Sequence, residues 1–270
     1  MIPFIGILQG RLTASKGRGI QFFPAENWRN EFKIAKEIGF DCMELLVQKD
    51  SLKNNPLWFS KGAEEIQELS DIYKIKIISV HGFYEKQSSY RKKLIHLVKQ
   101  TALIGAKTIL IPFFNENVLL KKNDKDIARK QLSFALPLCK NLEIKLGIET
   151  EMAAEELLDF INSFKHPNIG SYYDIGNMAS MNVDVVSEIR LLGKLIYGVH
   201  VKDRRANDGI TVTLGEGCAN FKSAFNALKQ VGYNGPLIIH AARNSKINEI
   251  SLNKQYFYFT RQTLRRVWHE

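Results

Sequence analysis

Ionisable side chains end several short apolar runs in this sequence. Three successive runs in its second half finish at Glu149, Asp174 and His200. Burying such groups costs free energy unless they are paired or bind a metal. Neighbouring parallel strands lie about 4.8 Å apart, so groups at the ends of three adjacent strands can converge on one ion. Carboxylate oxygens and an imidazole nitrogen suit Mn²⁺, Mg²⁺, Co²⁺ or Zn²⁺, and we predict that these three residues hold one such ion.

Other apolar runs also carry polar groups near their ends. Gln9 follows the first run with Arg11 just beyond it, Glu44 lies in the second, His81 ends the third and His240 lies in the last. If the runs are the strands of a parallel barrel, all of these groups meet at one mouth, where barrel active sites lie. We predict that Gln9, Arg11 and Glu44 contact a substrate there.

Cations cluster directly after the last two runs. Lys202, Arg204 and Arg205 follow the seventh run, and Arg243 follows the eighth. The loops after strands seven and eight of a barrel are a common phosphate site, and arginine binds phosphate or carboxylate groups in a bidentate manner. We expect these four residues to bind an anionic substrate, and a solvated basic loop is the alternative.

The elements that must position these groups alternate regularly. Apolar strand candidates begin near residues 4, 42, 75, 108, 145, 169, 196 and 236, and amphipathic helical patterns separate them. In the first of these patterns, one face carries Trp28, Phe32, Ala35 and Ile38, and Gly39 ends the helix. Eight strand–helix pairs without a linker predict a single (β/α)8 barrel domain over residues 1–270. A doubly wound open sheet is the competing fold, but the first turn lacks its GxGxxG spacing.

The composition of the chain indicates which partners it can bind and in which cellular compartment it works. The net charge is +10, but the lysines are scattered over helical faces, which argues against nucleic acid as a partner. No apolar run approaches the roughly 20 residues of a membrane span, and the first residues lack the basic start of a signal peptide. Three widely separated cysteines form no disulfide framework or metal knuckle. We therefore expect a cytoplasmic protein without a membrane partner, and a homo-oligomer remains open.

Several segments resemble one family over nearly the whole chain, the sugar phosphate isomerase/epimerase group of xylose isomerase-like TIM barrels. The matching segments are GILQGRL, IET, YYDIGN, VHVKD, LGEG and GYNGPL. That family binds one divalent metal through a Glu, an Asp, a His and a final Glu at the ends of strands five to eight. The resemblance places the first three ligands at Glu149, Asp174 and His200. His240 stands where the family has its final Glu, and imidazole can ligate the same metals.

The resemblance implies proton abstraction alpha to a carbonyl of a sugar or sugar phosphate. Glu149 is the expected base, and His240 or His81 is the expected second acid/base, because imidazole titrates near neutrality. In the family's ketose epimerases, the glutamates of strands five and eight act on opposite faces of the substrate. Because His240 replaces one of these glutamates, the assignment of that symmetric two-base reaction to this chain is weaker. A one-base or imidazole-assisted isomerisation becomes more favourable if His240 is a ligand.

The sequence allows two roles for His240. It is a fourth metal ligand, or it contacts the substrate and acts as an acid or base one hydrogen bond from the ion. The neighbouring Ala241 and Ala242 leave room for a sugar, which favours the second outcome.

Three other functions compete with the isomerase or epimerase. The same site could serve a metal-dependent dehydratase or lyase. An endonuclease of abasic DNA would need more histidines than these strand ends supply. A catalytically inactive sugar-binding barrel is the alternative from another class, and the loss of the final Glu motivates it.

Overall fold

Strands and helices alternate along the chain as the sequence predicts, in a computed structural model that describes residues 2–269. The strands are β1 (Ile5–Leu8), β2 (Cys42–Leu46), β3 (Lys76–His81), β4 (Thr108–Phe113), β5 (Lys145–Thr150), β6 (Ile169–Asp174), β7 (Ile196–Val201), β8 (Asp203–Arg204), β9 (Thr211–Val212) and β10 (Leu237–Ile239). The helices are α1 (Trp28–Ile38), α2 (Ser60–Tyr73), α3 (Tyr90–Leu103), α4 (Lys122–Ser133), α5 (Leu136–Asn141), α6 (Ala154–Asn162), α7 (Ile175–Ser180), α8 (Val185–Leu192), α9 (Phe221–Gln230) and α10 (Glu249–His269).

Eight of the strands close a parallel barrel. They follow one another in chain order from β1 to β7, and β10 closes the circle between β7 and β1. The (β/α)8 prediction is confirmed. Within residues 2–269, none of the helices is both long enough and apolar enough to cross a membrane.

The hydrophobic core has two parts. The larger part lies between the strands and the surrounding helices, and α1 contributes its predicted face of Trp28, Phe32, Ala35 and Ile38. This helix ends at Gly39, which has a φ of 107° and adopts the left-handed conformation that glycine tolerates best. The smaller part fills the barrel lumen with fully buried side chains, namely Leu8, Cys42, Leu46 and Ile238.

One aromatic ring fills the lumen beneath the mouth. The side chain of Tyr172, on β6, crosses over Gly198, on β7, and any Cβ at Gly198 would overlap the tyrosine ring. The glycine in the middle of this strand is therefore a packing requirement. The tyrosine ring contacts the imidazole of His200, with ring centroids 4.8 Å apart. The core of the barrel thus supports the groups at its mouth directly.

The structure adds elements that the sequence analysis did not predict. α7 begins directly after β6, and β8 and β9 form an antiparallel hairpin where a loop was expected. The carboxylate of Asp203 organises this hairpin and the glycine-rich segment after it. Its Oδ2 accepts hydrogen bonds from the N–H groups of Gly215 and Gly217, each at 2.9 Å. The fully buried carboxylate of Asp203 therefore fixes this glycine-rich segment, although its sequence predicts an irregular loop.

Candidate metal centre

Four buried side chains converge at the carboxyl ends of adjacent barrel strands. Glu149 lies on β5, Asp174 ends β6, His200 lies on β7 and His240 directly follows β10. One potential ligand atom from each lies within 4.8 Å of all the others. The register of the barrel explains this, because Asp174 pairs with His200 across β6 and β7. Two carboxylates and two imidazoles therefore share one small volume.

The carboxylate of Asp174 has one oxygen in a structural role and one without a partner. Its Oδ1 accepts a hydrogen bond from the N–H of Asn177 at 2.9 Å and so caps the N-terminus of α7. Its Oδ2 is buried and has no hydrogen-bond partner. This Oδ2 lies 3.6 Å from His240 Nδ1 and 3.8 Å from His200 Nδ1. A buried oxygen without a donor is costly, and a metal ion among these atoms would satisfy it.

His200 is oriented by a carboxylate beneath it. Its Nε2 lies 2.7 Å from Oε1 of Glu44 on β2. Glu44 is fully buried, and its other oxygen accepts hydrogen bonds from the hydroxyls of Ser79 and Tyr172. Nδ1 of His200 consequently faces the cluster, 3.1 Å from Oε1 of Glu149. A carboxylate on the outer nitrogen is the usual partner of a metal-binding histidine.

His240 is oriented in the same manner. Its Nε2 lies 2.9 Å from Oε1 of Gln21, and its Nδ1 lies 3.2 Å from Nδ1 of His200. Both histidines thus direct Nδ1 into the cluster and hold Nε2 against an oxygen outside it. This geometry favours His240 as a fourth ligand over the substrate contact that its neighbouring alanines favoured.

Burial and charge set the protonation of these groups. Burial disfavours the charged form of His200, but the carboxylates of Glu44 and Glu149 outweigh it and raise the pKa of His200 to about 10. Burial tends to raise the pKa of Glu149, but the charge of His200 prevails and the pKa lies below its usual value. Burial raises the pKa of Asp174 against the charge of Lys202. Burial lowers the pKa of His240 well below its usual value, and Lys202 lowers it further.

A cavity of about 700 Å³ opens above the cluster. Five of the residues proposed from the sequence lie on its wall: His81, Glu149, Lys202, Arg204 and His240. Nε2 of His81 lies 3.9 Å from Oε2 of Glu149, so the two candidate proton-transfer groups are neighbours. Burial lowers the pKa of His81, which favours its neutral imidazole.

The other residues predicted to bind substrate lie outside the cavity wall, namely Gln9, Arg11, Glu44, Arg205 and Arg243. Oε1 of Gln9 accepts a hydrogen bond from the N–H of Leu46. Arg205 is exposed and pairs with Asp208 at 2.8 Å. Arg11 and Arg243 both donate to the carbonyl of Ile20, at 2.7 and 3.0 Å. Gln9 thus holds the end of β2, Glu44 lies beneath His200, and the three arginines contact loop atoms around the mouth. A direct role in substrate binding stays a prediction for all five.

Three residues that shape the site were missed in the sequence. Ser79 and Tyr172 hold Glu44, and Gln21 contacts both His240 and His81. Gly198, in the middle of β7, is a sequence signal for Tyr172, because a glycine inside a strand indicates that a large neighbouring side chain packs over it. Gln21 lies in the loop between β1 and α1, directly between Ile20 and Phe22, and carries no local signal.

Comparisons with known proteins agree with this architecture. The sequence model described as xylose isomerase-like TIM barrel matches residues 32–256. L-ribulose-5-phosphate 3-epimerase UlaE of Escherichia coli O1:K1 / APEC is 23% identical over 232 residues, which cover 79% of this chain and 82% of the enzyme. A solved L-ribulose 3-epimerase has a TM-score of 0.77 and 16% identity, covering 99% of this chain and 96% of that one. The IOLI protein, solved with a binding zinc atom, has a TM-score of 0.78 and 13% identity, covering 98% and 99%.

Replacing Asp174 tests the cluster without breaking the helix cap. Asp174→Asn keeps an oxygen for the N–H of Asn177 but puts an amide in place of the unpartnered oxygen. We expect this variant to lose most of its bound divalent metal, measured by elemental analysis after dialysis, because each ligand contributes several kcal/mol. Asp184→Asn is the matched control, since Asp184 also caps a helix, α8, but is exposed and is not one of the four clustered groups. Unchanged metal content in Asp174→Asn would contradict the assignment.

Metal binding should also release a proton from His200. With a pKa of about 10, His200 carries a proton on Nδ1 at neutral pH in the metal-free protein, and a metal must displace it. The apparent affinity for Co²⁺ or Mn²⁺ should therefore rise about tenfold per pH unit between about pH 6.5 and 9. Calorimetry at pH 7 in buffers of different ionisation enthalpy measures the released proton directly. A binding enthalpy that does not depend on the buffer would rule this out.

Proposed function

Because this chain belongs to the xylose isomerase-like TIM-barrel family, we propose that it is a divalent-metal-dependent isomerase or epimerase of a sugar or sugar phosphate. The observation that carries the proposal is the buried cluster of Glu149, Asp174, His200 and His240 at the base of a cavity. The names of its relatives support the substrate class, since they include an L-ribulose-5-phosphate 3-epimerase and an L-ribulose 3-epimerase.

The donor set indicates which metals fit. Two imidazole nitrogens beside two carboxylate oxygens favour Zn²⁺, Co²⁺ or Mn²⁺ over Mg²⁺, which prefers oxygen ligands. A divalent ion held by Glu149, Asp174, His200 and His240 would supply Lewis-acid chemistry, polarising a substrate carbonyl and stabilising the negative charge that develops when an adjacent C–H bond is deprotonated.

Glu149 is the proposed base. Its carboxylate is 2% exposed but lines the cavity, so it can reach a substrate carbon while remaining shielded from bulk water. Its lowered pKa keeps it ionised at neutral pH and ready to accept a proton. The hydrogen bond from His200 holds one oxygen and leaves the other directed towards His81.

His81 is the proposed partner in proton transfer. Both nitrogens of His240 are committed, one towards the cluster and one to Gln21. The imidazole of His81 lies on the cavity wall beside Glu149, and burial lowers its pKa, which favours the neutral form. With one carboxylate and one neighbouring imidazole, the site favours moving a proton between adjacent atoms of the substrate. It is less suited to a reaction in which two carboxylates exchange protons on opposite faces of the substrate.

The charges around the cavity permit neutral and phosphorylated sugars. Lys202 and Arg204 are the two cations from the sequence prediction that line it, and each already has an anionic partner. Nζ of Lys202 lies 3.8 Å from Asp174 Oδ2, and Arg204 donates to Glu151 at 3.0 Å. A phosphate would have to compete with these carboxylates, so the proposal includes sugars without a phosphate.

Hydrogen exchange at carbon tests the function. Metal-loaded protein is incubated in D₂O with a panel of ketoses and ketose phosphates, and NMR follows deuterium incorporation next to the carbonyl. Glu149→Gln should reduce exchange by about 10²- to 10⁴-fold, because the base is lost. Glu116→Gln is the control, because Glu116 is an exposed acid on the rim of the same cavity. Exchange that persists in Glu149→Gln would contradict the mechanism. Metal-bound protein without exchange on any sugar would favour the inactive sugar-binding barrel.

A further inference from the structure

The loop between β1 and α1 places one amide between two histidines of the site. Oε1 of Gln21 lies 2.9 Å from Nε2 of His240, and its amide nitrogen lies 3.4 Å from Nε2 of His81. The loop is fixed immediately before this residue, since the carbonyl of Ile20 accepts hydrogen bonds from two guanidinium groups. It is fixed again two residues later, where the N–H of Phe23 donates to Gln48 at 2.8 Å. Gln21 is therefore held in place by the backbone on either side.

The base of the loop has its own buried anchor. Glu31 on α1 accepts hydrogen bonds from the N–H groups of Gly10 and Leu12 and from the hydroxyl of Thr13. Arg243 donates to the carbonyls of Gly10 and Thr13 from the opposite side. These contacts explain what the arginine predicted to bind an anion does in this structure. It braces the loop that carries Gln21.

The hydrogen bonds around Gln21 determine where the protons lie. Nδ1 of His81 is 3.1 Å from the carbonyl of Gly82, which can only accept, so Nδ1 carries the proton. In a neutral imidazole Nε2 is then an acceptor, and the amide nitrogen of Gln21 faces it at 3.4 Å, as a donor would. The amide oxygen therefore faces His240, whose Nε2 must carry a proton. The lone pair of His240 is left on Nδ1, which faces the cluster.

We propose that Gln21 is a positioning residue that holds His240 in the tautomer protonated at Nε2 and thereby makes its Nδ1 a metal ligand. A carboxylate needs no such partner, because either of its oxygens can ligate. A histidine in that place can ligate through Nδ1 only if the proton is kept on Nε2. The ligand half of this proposal rests on the proposed function, whereas the tautomer of His240 can be measured without a metal.

Two variants separate the roles of the amide. Gln21→Met removes both the acceptor and the donor at similar length, and Gln21→Glu keeps an oxygen for His240 but cannot donate to His81. Gln67→Met, at an exposed glutamine of α2, is the matched control. Gln21 is itself only partly buried, so these variants should fold, which thermal unfolding checks. Long-range ¹H–¹⁵N spectra of the six histidine rings, with His240 assigned through His240→Gln, report the tautomers in metal-free protein.

The proposal expects His240 to be protonated at Nε2 in the wild type and in Gln21→Glu. In Gln21→Met it expects a mixture of tautomers, because the proton on Nδ1 of His200 can be donated to Glu149 and a proton on Nδ1 of His240 can be donated to Asp174 Oδ2, 3.6 Å away. Co²⁺ affinity measured by calorimetry should fall by about 10- to 100-fold in Gln21→Met, the usual effect of losing an outer partner. It should change little in Gln21→Glu and in the control. Unchanged tautomer and affinity in Gln21→Met, or an equal loss in Gln21→Glu, would overturn the proposal. If the wild type binds no metal, the proposed function fails, and the metal-free spectra still decide the role of Gln21.

Discussion

The two oxygens of Asp174 connect the fold of this protein to its site. One oxygen caps α7, which fixes the carboxylate at the end of β6, and the other is left buried without a donor among two imidazoles. Gly176 lets α7 pack this closely, because a Cβ there would overlap the carbonyl of Lys202. The fold concentrates negative charge at a point that a cation would stabilise, and the other ligand groups are arranged around it.

The side chains around the cluster offset the cost of burying these carboxylates. Glu44, Glu149 and Asp174 are all buried. His200 lies within 3.1 Å of both glutamates, and Asp174 lies 3.8 Å from both His200 and Lys202. Burial of so many ionised groups opposes folding unless each has partners. Hydroxyls from Ser79 and Tyr172 supply those partners for Glu44, and the glycine of β7 makes room for the tyrosine ring. The packing of the lumen thus determines the orientation of His200.

Much of this could be predicted from the sequence, for identifiable reasons. Barrel strands are short apolar runs, and groups that end them must meet at one mouth, so the fold and the convergence of Glu149, Asp174 and His200 followed. Gln21 could not be found in this way, since it is 60 residues from His81 and 219 from His240 along the chain. Glu44 and Arg243 were recognised as polar groups near the mouth. Whether such a group faces a cavity, a lumen or a loop depends on tertiary contacts that periodicity does not encode.

The central claim is that one divalent ion binds among the four buried groups. Anomalous diffraction from crystals grown with Co²⁺ or Zn²⁺, recorded on both sides of the metal absorption edge, tests it most directly. The account predicts one strong peak within about 2.0–2.2 Å of Nδ1 of both His200 and His240 and of a carboxylate oxygen of both Glu149 and Asp174. A peak elsewhere, or a peak that His240 does not contact through Nδ1, would contradict the account.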